Sequence, residues 1–380
     1  MKLVITGGHL NPALAVIDEL PKDTEILMIG RKYAIEGDKA LSLEYLASKS
    51  LNIPFKSIRT GRLQRKFTKH TIISPLKLPY GFFQSLLILK KFKPDAILCF
   101  GGYISLPVAF AGRILKIPVV IHEQTLEAGA ANKLISKFAK KVCISWESSA
   151  KFFPPNKTIL TGNPIRKFSC EGELSLVKQI SRPKADQPLA ENENLPLIYI
   201  TGGSLGSHAI NTLIEGCIEK LLQKYRVIHQ TGDAKEFLDF DRLSNLKEKL
   251  NPNLQKRYFL IKFIEPFEVG GILKQADLVV SRSGINTITE LIYFGKPSIL
   301  IPLPYSQNHE QIKNAEFLKD LGLGIYLNQY ELTPDKLYEW IIEFSQNLNQ
   351  YSKNKEVKKV ILSDSAKKII EILKSVFASK

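Results

Sequence analysis

Short apolar runs alternate with amphipathic stretches over the first part of the chain. Runs at 3–5, 25–29, 96–100, 119–121, 141–144 and 158–160 have the length and β-branched content of buried strands. Stretches at 13–20, 38–50, 82–91, 106–115 and 129–138 repeat apolar residues with the period of a helix. Strands that alternate with helices predict a parallel sheet covered by helices on both faces.

The alternation stops at residues 167–194 and then starts again. This stretch is polar and contains several prolines, which is typical of an interdomain connection. Beyond it, strands are predicted at 197–201, 226–229, 258–262, 278–280, 298–301 and 324–326, and helices at 207–222, 269–275, 287–294, 308–321 and 333–348. We therefore predict domains at 1–166 and 195–350, and a C-terminal helix at 356–377 that packs back on the first domain.

Two consecutive units of this kind predict an α/β fold with two doubly wound, Rossmann-like domains that face each other across a cleft. Both units open with a strand, a glycine-rich turn and a helix. In open parallel sheets, ligands bind at the carboxyl ends of the strands. We therefore expect the ligand at those strand ends, in the crevice.

Three glycine-rich turns follow predicted strands, and they read TGGHLNP at 6–12, TGGSLGS at 201–207 and SRSGINT at 281–287. Glycines let backbone amides approach a charged group, and the helix that follows favours anions at its N-terminus. The first turn lacks the GxGxxG spacing of dinucleotide sites and the second lacks the GK[ST] ending of a P-loop. The second turn, with two serine hydroxyls, suits a diphosphate best. Each turn is also compatible with a plain strand-to-helix connection.

Two side chains in these turns are candidates for chemistry. His9 has an unperturbed pKa near 6.5, which suits an acid or base, although a histidine here can also simply cap a helix. Glu290 lies about one turn into its helix and can accept two hydroxyl hydrogens from a ribose, or it is a solvated surface carboxylate. The segment Asp239-Phe240-Asp241 looks like a metal-binding DxD, but it lies in a charged helical stretch, and we interpret it as solvated surface.

The charge of the chain is concentrated in its first half. The formal net charge is +16, of which +15 falls in residues 1–170, and residues 45–94 contain eleven basic residues and no acidic one. Apolar residues lie among these cations between 62 and 93, a pattern typical of an anionic lipid interface. A core helix with solvated lysines is the alternative. Nucleic acid is a poorer candidate because no helix-turn-helix, RRM or KH signature accompanies the basic residues.

The remaining composition is that of a folded protein in a reducing compartment. The chain is 44% hydrophobic and 24% charged, and its four cysteines form no CxxC pair. The first residues predict a strand and a turn rather than a secretory signal. No apolar run approaches the roughly 18 residues of a membrane span. We therefore expect neither a zinc or disulfide framework nor a transmembrane helix.

Eight motifs occur in one order along the chain. They read TGGHLNPALA at 6–15, GGYIS at 101–105, HEQ at 122–124, GNPIR at 162–166, GGSLG at 202–206, HQTG at 229–232, SRSGINTITE at 281–290 and HEQIKNA at 309–315. This set resembles the MurG family of peptidoglycan glycosyltransferases, the undecaprenyl-diphospho-muramoylpentapeptide β-N-acetylglucosaminyltransferases of the GT-B superfamily. The resemblance covers residues 3 to about 325.

The resemblance implies a GT-B fold and an inverting transfer of N-acetylglucosamine from UDP-GlcNAc to the muramoyl C4 hydroxyl of lipid I, which gives lipid II. It implies no cofactor and no metal for diphosphate binding. The implied partners are UDP-GlcNAc, an undecaprenyl-linked acceptor, an anionic membrane surface and a cell-wall synthesis complex, with no nucleic acid. The implied location is peripheral, at the cytoplasmic face of the cell membrane.

The resemblance also implies site residues, position by position. His9, Tyr103, His122 and Glu123 would be catalytic or line the acceptor pocket, with Asn211 facing them. The donor would contact Thr6, Gly7, Gly8, Thr125, Arg166, Ser204, Ile264, Ile285, Asn286, Thr287, Ile288, Thr289, Glu290 and Gln311. The membrane patch would comprise Phe67, Lys69, Lys77, Phe82, Phe83, Lys90 and Phe92.

This sequence departs from the family pattern in two places. The first glycine turn is shorter, and Thr125 stands where the family commonly has Asn after HEQ. Other readings remain: a GT-B transferase with another lipid acceptor such as diacylglycerol, and a UDP-sugar-binding protein without turnover. A non-hydrolysing UDP-GlcNAc 2-epimerase shares the architecture, but its catalytic pattern is not evident here.

Overall fold

The structure is a computed structural model of the 380-residue chain. It describes residues 1–33, 41–61, 69–166, 195–203, 206–234, 236–265, 268–352, 361–362 and 364–378, with only the backbone at 69–77, 307 and 352. The chain divides into two compact units, Met1–Arg166 with Leu362–Lys380 (unit 1) and Lys167–Ile361 (unit 2). The predicted connection at 167–194 lies outside the described residues.

Each unit is built on one parallel sheet. The strands of unit 1 are β1 (Lys2–Thr6), β2 (Glu25–Gly30), β3 (Phe55–Ser57), β4 (Ala96–Cys99), β5 (Val119–Glu123), β6 (Lys141–Ile144) and β7 (Thr158–Leu160). Those of unit 2 are β8 (Leu197–Thr201), β9 (Arg226–Gln230), β10 (Tyr258–Ile261), β11 (Leu278–Ser281), β12 (Ser298–Leu300) and β13 (Gly324–Tyr326). In the described part of the chain the spatial orders are β3-β2-β1-β4-β5-β6-β7 and β10-β9-β8-β11-β12-β13.

Helices connect the strands. The described α-helices are α1 (Leu10–Glu19), α2 (Leu43–Ser50), α3 (Lys69–Phe92), α4 (Gly102–Ile114), α5 (Ala130–Ser136), α6 (His208–Glu215), α7 (Ile218–Leu222), α8 (Asp239–Lys249), α9 (Pro252–Gln255), α10 (Val269–Gln275), α11 (Ile285–Phe294), α12 (Glu310–Asp320), α13 (Pro334–Gln346), α14 (Leu348–Ser352) and α15 (Ser365–Ala378). Single 3-10 turns lie at Glu147–Phe152, Pro155–Lys157, Gln307–His309 and Gln329–Glu331.

Both strand orders reverse direction at the middle of the sheet, between β1 and β4 in unit 1 and between β8 and β11 in unit 2. Such a reversal leaves a crevice at the carboxyl ends of the two central strands, which is where doubly wound domains bind ligands. The prediction of two doubly wound, Rossmann-like domains is therefore confirmed. The glycine turns at 6–9 and 201–207 follow β1 and β8, so both lie at a reversal point.

The core of unit 1 shows why its strands are nearly all apolar. Side chains of a strand alternate between the two faces. Val4 of β1 belongs to a cluster that includes Leu89 of α3, whereas Leu3 and Ile5 join a second cluster that includes Ile369 of α15. The C-terminal helix thus covers the face of the unit 1 sheet that α1 also covers.

The structure differs from the sequence prediction at several element boundaries. Strand β3 was not predicted, and α3 begins at Lys69 rather than near 82. Helix α4 begins at Gly102, directly at the glycine pair, rather than near 106. The helix predicted at 207–222 is two helices that meet at Gly216 and Cys217.

Candidate active site

The two glycine pairs of unit 1 pack against each other at the reversal point. Gly8 N–H donates to the carbonyl of Gly101, with 3.1 Å between N and O. Gly7 has a φ of +144°, and a Cβ there would lie 2.6 Å from the backbone carbonyl carbon of Phe100. Gly102 has a φ of +77°, and its Cβ would lie 2.9 Å from the amide nitrogen of Gly8. Only glycine fits these two positions, because a side chain at either one would clash with the backbone of the other turn. The turns after β1 and β4 therefore pack together and form one surface.

His9 lies at the edge of this surface. It is the N-cap residue of α1, and its Nδ1 lies 2.6 Å from the side-chain nitrogen of Gln124. Burial lowers the pKa of His9, and the nearby carboxylate of Glu123 opposes that effect. His9 is therefore mainly neutral at pH 7, as a proton acceptor must be. Tyr103 lies half-buried in the first turn of α4, next to the same glycine pair.

Glu123 is buried and fully engaged inside unit 1. Its carboxylate accepts hydrogen bonds from the amide and hydroxyl of Thr125 at 3.1 and 2.6 Å, from the amide of Gly129 at 2.9 Å and from Nδ2 of Asn132 at 3.0 Å. Gly129 is the N-cap residue of α5. Glu123 thus shapes the loop after β5, which places Gln124 against His9.

His122 is also buried, with 1% of its surface exposed. Its Nε2 lies 3.2 Å from the carbonyl of Gly162 and 3.2 Å from Oγ of Ser145. Burial lowers its pKa to about 4, so the ring is neutral. These contacts tie the loops after β6 and β7 to the end of β5.

Other predicted residues of unit 1 differ in their surroundings. Thr6 is buried, and its Oγ1 has no hydrogen-bond partner among the described residues. Arg166 donates from Nε to Oδ2 of Asp18 at 2.8 Å. Asp18 lies eight residues into α1, about two turns from the glycine pairs. The structure therefore brings Thr6, Gly7, Gly8 and His9 together and does not bring the guanidinium of Arg166 to them.

In unit 2, the turn after β8 is as crowded as its counterpart. A Cβ on Gly202 would lie 2.3 Å from the amide nitrogen of Ser207, and a Cβ on Gly206 would lie 1.9 Å from the carbonyl oxygen of Thr231. Ser207 is the N-cap residue of α6, and its side chain accepts from the amide of Ile210. Ser204 lies outside the described residues. The backbone thus closes tightly around the N-terminus of α6, which favours an anion.

The segment 285–290 begins α11 directly after Gly284, and its side chains divide between core and surface. Ile285, Ile288 and Thr289 are buried, whereas Asn286, Thr287 and Glu290 are partly exposed. Burial raises the pKa of Glu290 to about 7. No hydrogen bond or ion pair joins its carboxylate to another described residue. Glu290 is therefore a desolvated carboxylate available to a ligand.

Gln311 organises the loop between β12 and α12. Its Oε1 accepts from the amide of Leu303 at 2.9 Å, and its carbonyl accepts from the hydroxyl of Ser283 at 2.7 Å. The residues before it, Asn308 and His309, have φ of +51° and +55°. Two consecutive non-glycine residues in the left-handed region store backbone strain, which is typical of functional loops. Ile264, one of the predicted donor contacts, is 2% exposed and lies just after β10.

Asn211 lies in a buried network of unit 2. Its Nδ2 donates to the carbonyl of Thr231 at 3.0 Å and to Oδ2 of Asp239 at 2.8 Å, and its Oδ1 lies 3.0 Å from Nε2 of His229. All its side-chain polar atoms are thus used within the unit. The interpretation of Asp239 as solvated surface is wrong, because this residue is 4% exposed and binds Asn211, His208 and Arg242.

The sequence prediction gave no role to Gln124 or Arg282, and it named Ser207 only as one of two hydroxyls in the second glycine turn. Gln124 and Arg282 belong to the quoted motifs HEQ and SRSG, and Ser207 directly follows GGSLG. The signal for Arg282 was present, since a cation directly after a buried apolar strand has to find partners inside the protein. Its guanidinium donates to Ser207 Oγ, to the carbonyls of Ile301 and Pro302, and to Gln329 Oε1.

Helices α3 and α4 pack together and expose apolar side chains. Tyr80, Phe83 and Leu87 of α3 are 54%, 61% and 68% exposed. Phe110 and Ile114 of α4 are 41% and 60% exposed. Of the predicted patch, Phe82 and Phe92 pack against the core, and Lys90 is exposed. Phe67 and the side chains of Lys69 and Lys77 lie outside the described residues.

Two negative findings apply to the described residues. Among them, no three His, Cys, Asp or Glu side chains are grouped closely enough to hold a metal ion. No helix in this part of the chain has the length and apolar character needed to cross a membrane.

Residues 5–144 match the glycosyltransferase family 28 N-terminal domain and residues 197–370 match the glycosyltransferase family 28 C-terminal domain. The UDP-N-acetylglucosamine--N-acetylmuramyl-(pentapeptide) pyrophosphoryl-undecaprenol N-acetylglucosamine transferase of Acetivibrio thermocellus is 32% identical, over 100% of this chain and 99% of its own. The protein of the same name from Treponema denticola is 33% identical, over 99% and 96%.

Solved structures share the fold. The crystal structure of MurG from Acinetobacter baumannii has a TM-score of 0.69 at 24% identity and covers 98% of this chain and 99% of its own. The UDP-GlcNAc 2-epimerase of Neisseria meningitidis, bound to UDP-GlcNAc, has a TM-score of 0.63 at 16% identity and covers 99% and 100%. The architecture therefore serves more than one chemistry, and function has to be argued from the site.

Proposed function

Because the chain belongs to glycosyltransferase family 28, and within it to the UDP-N-acetylglucosamine--N-acetylmuramyl-(pentapeptide) pyrophosphoryl-undecaprenol N-acetylglucosamine transferases, we propose that it converts lipid I to lipid II. It transfers N-acetylglucosamine from UDP-GlcNAc to the muramoyl C4 hydroxyl of the lipid-linked acceptor. The reaction is a step of peptidoglycan synthesis.

The observation that carries the donor side of this proposal is the free carboxylate of Glu290. It lies in the second turn of α11 and is partly buried, with a pKa raised to about 7. Two ribose hydroxyls would supply the hydrogen bonds that the described residues do not provide. The diphosphate would lie at the glycine turn and at the N-terminus of α6, where backbone amides favour negative charge.

The transfer breaks one bond and forms another on the same carbon. The acceptor oxygen attacks the anomeric carbon from the side opposite UDP, and UDP leaves with the electron pair of the broken C–O bond. The configuration at that carbon inverts. His9 is our candidate for the base that takes the hydroxyl proton. Its ring is neutral, and its Nε2 has no hydrogen-bond partner among the described residues, so Nε2 can accept that proton when Nδ1–H donates to the side-chain oxygen of Gln124.

We propose that no metal takes part in this step. Backbone amides and helix N-termini can stabilise the charge that develops on a leaving diphosphate. In unit 2 these groups are the amides of the glycine turn and of the first turns of α6 and α11, with the buried guanidinium of Arg282 behind them.

The exposed face of α3 and α4 is our candidate for membrane contact. It combines the apolar side chains of Phe83, Leu87 and Ile114 with the exposed cations Lys90 and Arg113. Apolar anchors beside cations bind anionic lipid surfaces without crossing them. The acceptor lipid lies in such a surface, so we propose that the protein acts peripherally at the cytoplasmic face of the membrane.

A radiolabel transfer assay tests the proposed function. Purified protein is given labelled UDP-GlcNAc with lipid I or with diacylglycerol in anionic detergent–lipid micelles, and His9→Ala is run in parallel. We expect label to move onto lipid I alone, and the rate to fall about 10²–10⁴-fold in the variant. Transfer to diacylglycerol alone, or binding of UDP-GlcNAc without transfer to either lipid, would contradict the proposal.

A further inference from the structure

Arg282 is a buried cation whose hydrogen bonds all go to neutral groups. Its Nε and Nη2 lie 3.1 and 2.7 Å from Ser207 Oγ, and Nη2 also lies 2.6 Å from Gln329 Oε1. Nη1 donates to the carbonyls of Ile301 at 2.9 Å and Pro302 at 3.2 Å. The residue is 8% exposed. Hydroxyl, amide and carbonyl oxygens satisfy its hydrogen-bonding groups but do not neutralise its charge.

No carboxylate among the described residues forms an ion pair with this guanidinium. Burial lowers the pKa of Arg282 to about 10, so the group still carries its charge at pH 7. Taking a charge out of water is costly unless an opposite charge compensates it. Arg282 thus presents an unbalanced positive charge within unit 2.

The charge of Arg282 lies next to the glycine turn of unit 2. Ser207 is the N-cap residue of α6, the helix that follows the glycine turn, and Arg282 bonds to its hydroxyl. The positive end of the α6 dipole and the charge of Arg282 therefore add on the same side of the turn. The guanidinium is fixed before any ligand arrives, because its five contacts lie within the fold.

We propose that Arg282 is a positioning residue for the donor diphosphate. Its guanidinium holds Ser207 at the start of α6, and its positive charge attracts an anion that binds on the glycine turn. This inference rests on the proposed function, since it takes the diphosphate of UDP-GlcNAc as the anion. It predicts that Arg282 strengthens binding of UDP but not of uridine, which has the same base and ribose without charge.

Gln329→Glu tests this with Arg282 in place. The new carboxylate would lie where Gln329 Oε1 now accepts from Nη2, and it would neutralise the guanidinium internally. Binding of UDP and of uridine is measured by isothermal titration calorimetry on the full chain. We expect UDP to bind roughly tenfold more weakly and uridine to change by less than about twofold. A rise in Tm would show that the new ion pair forms.

Gln346→Glu is the matched control, because it adds the same charge at the exposed end of α13 in the same unit. It should leave both affinities unchanged. Arg282→Lys keeps the charge and should retain most of the preference for UDP, whereas Arg282→Gln should lose it. If Arg282→Gln does not fold, the comparison of Gln329→Glu with Gln346→Glu still decides the question.

Different results would contradict the role of Arg282 and the proposed function. The role of Arg282 would be overturned if Gln329→Glu lost the same affinity for UDP and for uridine. It would also be overturned if the Tm rose, which shows that the ion pair forms, and both affinities stayed unchanged. Failure of the unaltered protein to bind UDP at all would instead overturn the proposed function.

Discussion

The side-chain amide of Gln124 lies 2.6 Å from Nδ1 of His9, so a residue at the end of β5 determines how the ring at the start of α1 can use its protons. In the assigned orientation the amide nitrogen donates to Nδ1, which leaves the proton of the neutral ring on Nε2. A half-turn of the amide presents Oε1, which would accept a proton from Nδ1 and free Nε2 to act as a base. We infer that Gln124 selects the tautomer of His9.

Replacement of Gln124 by Glu should therefore shift the pH profile of transfer. A carboxylate accepts only, so it fixes the proton on Nδ1, and its charge raises the pKa of His9. A base works in its neutral form, so activity is lost as the pH falls through its pKa. We expect the acid limb of kcat/KM to move to higher pH, measured between pH 5 and 9.

Gln124→Met provides the control, because it keeps the length of the side chain and removes the hydrogen bond. It should lower kcat without moving the acid limb upward. If Gln124→Glu leaves the profile unchanged, His9 does not act as the base, or Gln124 does not set its protonation.

Glu290→Gln should separate donor affinity from stability. The folded-state pKa of Glu290 is raised to about 7 from 4.5, so its burial destabilises the fold increasingly as the pH rises from about 4.5 to 7. The neutral amide removes this cost, and we expect a higher Tm at pH 8 and no difference at pH 4. The variant also loses the charged acceptor for ribose, so KM for UDP-GlcNAc should rise at pH 8.

In the unaltered protein, the affinity for UDP-GlcNAc should depend on the protonation of Glu290. Only the ionised carboxylate accepts from both ribose hydroxyls, so donor affinity should fall as the pH falls below about 7. This dependence should be absent in Glu290→Gln. A variant with unchanged KM would place the ribose elsewhere.

Much of this fold follows from local sequence, as Leu197–Thr201 illustrates. Five consecutive apolar or β-branched residues end in a glycine turn, and the pattern is compatible with little besides a buried strand and a helix start. The first part of helix α3, before residue 82, did not follow from the sequence. Pro75 and Pro79 remove backbone donors that a helix interior uses, yet the helix runs from Lys69 through both.

Part of the candidate site could likewise be predicted from the sequence, and part could not. Turns and strand ends are properties of short segments, so the sequence was enough to predict that His9 lies in the turn after β1 and that Glu290 lies about one turn into a helix, which is where the structure has them. Hydrogen-bond partners are not properties of short segments. Asp239 looked like a solvated acid because its neighbours are charged, but Asn211 and His208, about thirty residues earlier, enclose it. The contact of Gln124 with His9 spans 115 positions and could not be derived from spacing.

Adjacent glycines in the first turn offer a matched pair for stability. Gly7 has a positive φ and would place a Cβ 2.6 Å from the backbone of Phe100, whereas the nearest atom to a Cβ on Gly8 is 3.6 Å away. Gly7→Ala should destabilise the protein by about 1–3 kcal/mol, since backbone must move. Gly8→Ala should change the unfolding free energy by less than about 0.5 kcal/mol. Urea unfolding measures both, and equal effects would contradict the packing described for this turn.

The exposed apolar residues of α3 should govern membrane binding. Phe83 and Leu87 are 61% and 68% exposed, so their replacement by Ser leaves the core intact while removing apolar area from the lipid interface. We expect the double variant to bind vesicles containing phosphatidylglycerol at least tenfold more weakly in a sedimentation assay. Tyr330→Ser in unit 2, where the side chain is 73% exposed, is the control and should bind normally.

The affinity for UDP, measured without vesicles, should be the same in all variants as in the unaltered protein, because α3 belongs to unit 1 and the proposed donor groups to unit 2. Normal vesicle binding by the double variant would place the membrane surface elsewhere on the protein. Loss of binding that is equally large on uncharged phosphatidylcholine vesicles would show that the apolar residues act without help from the basic residues around them.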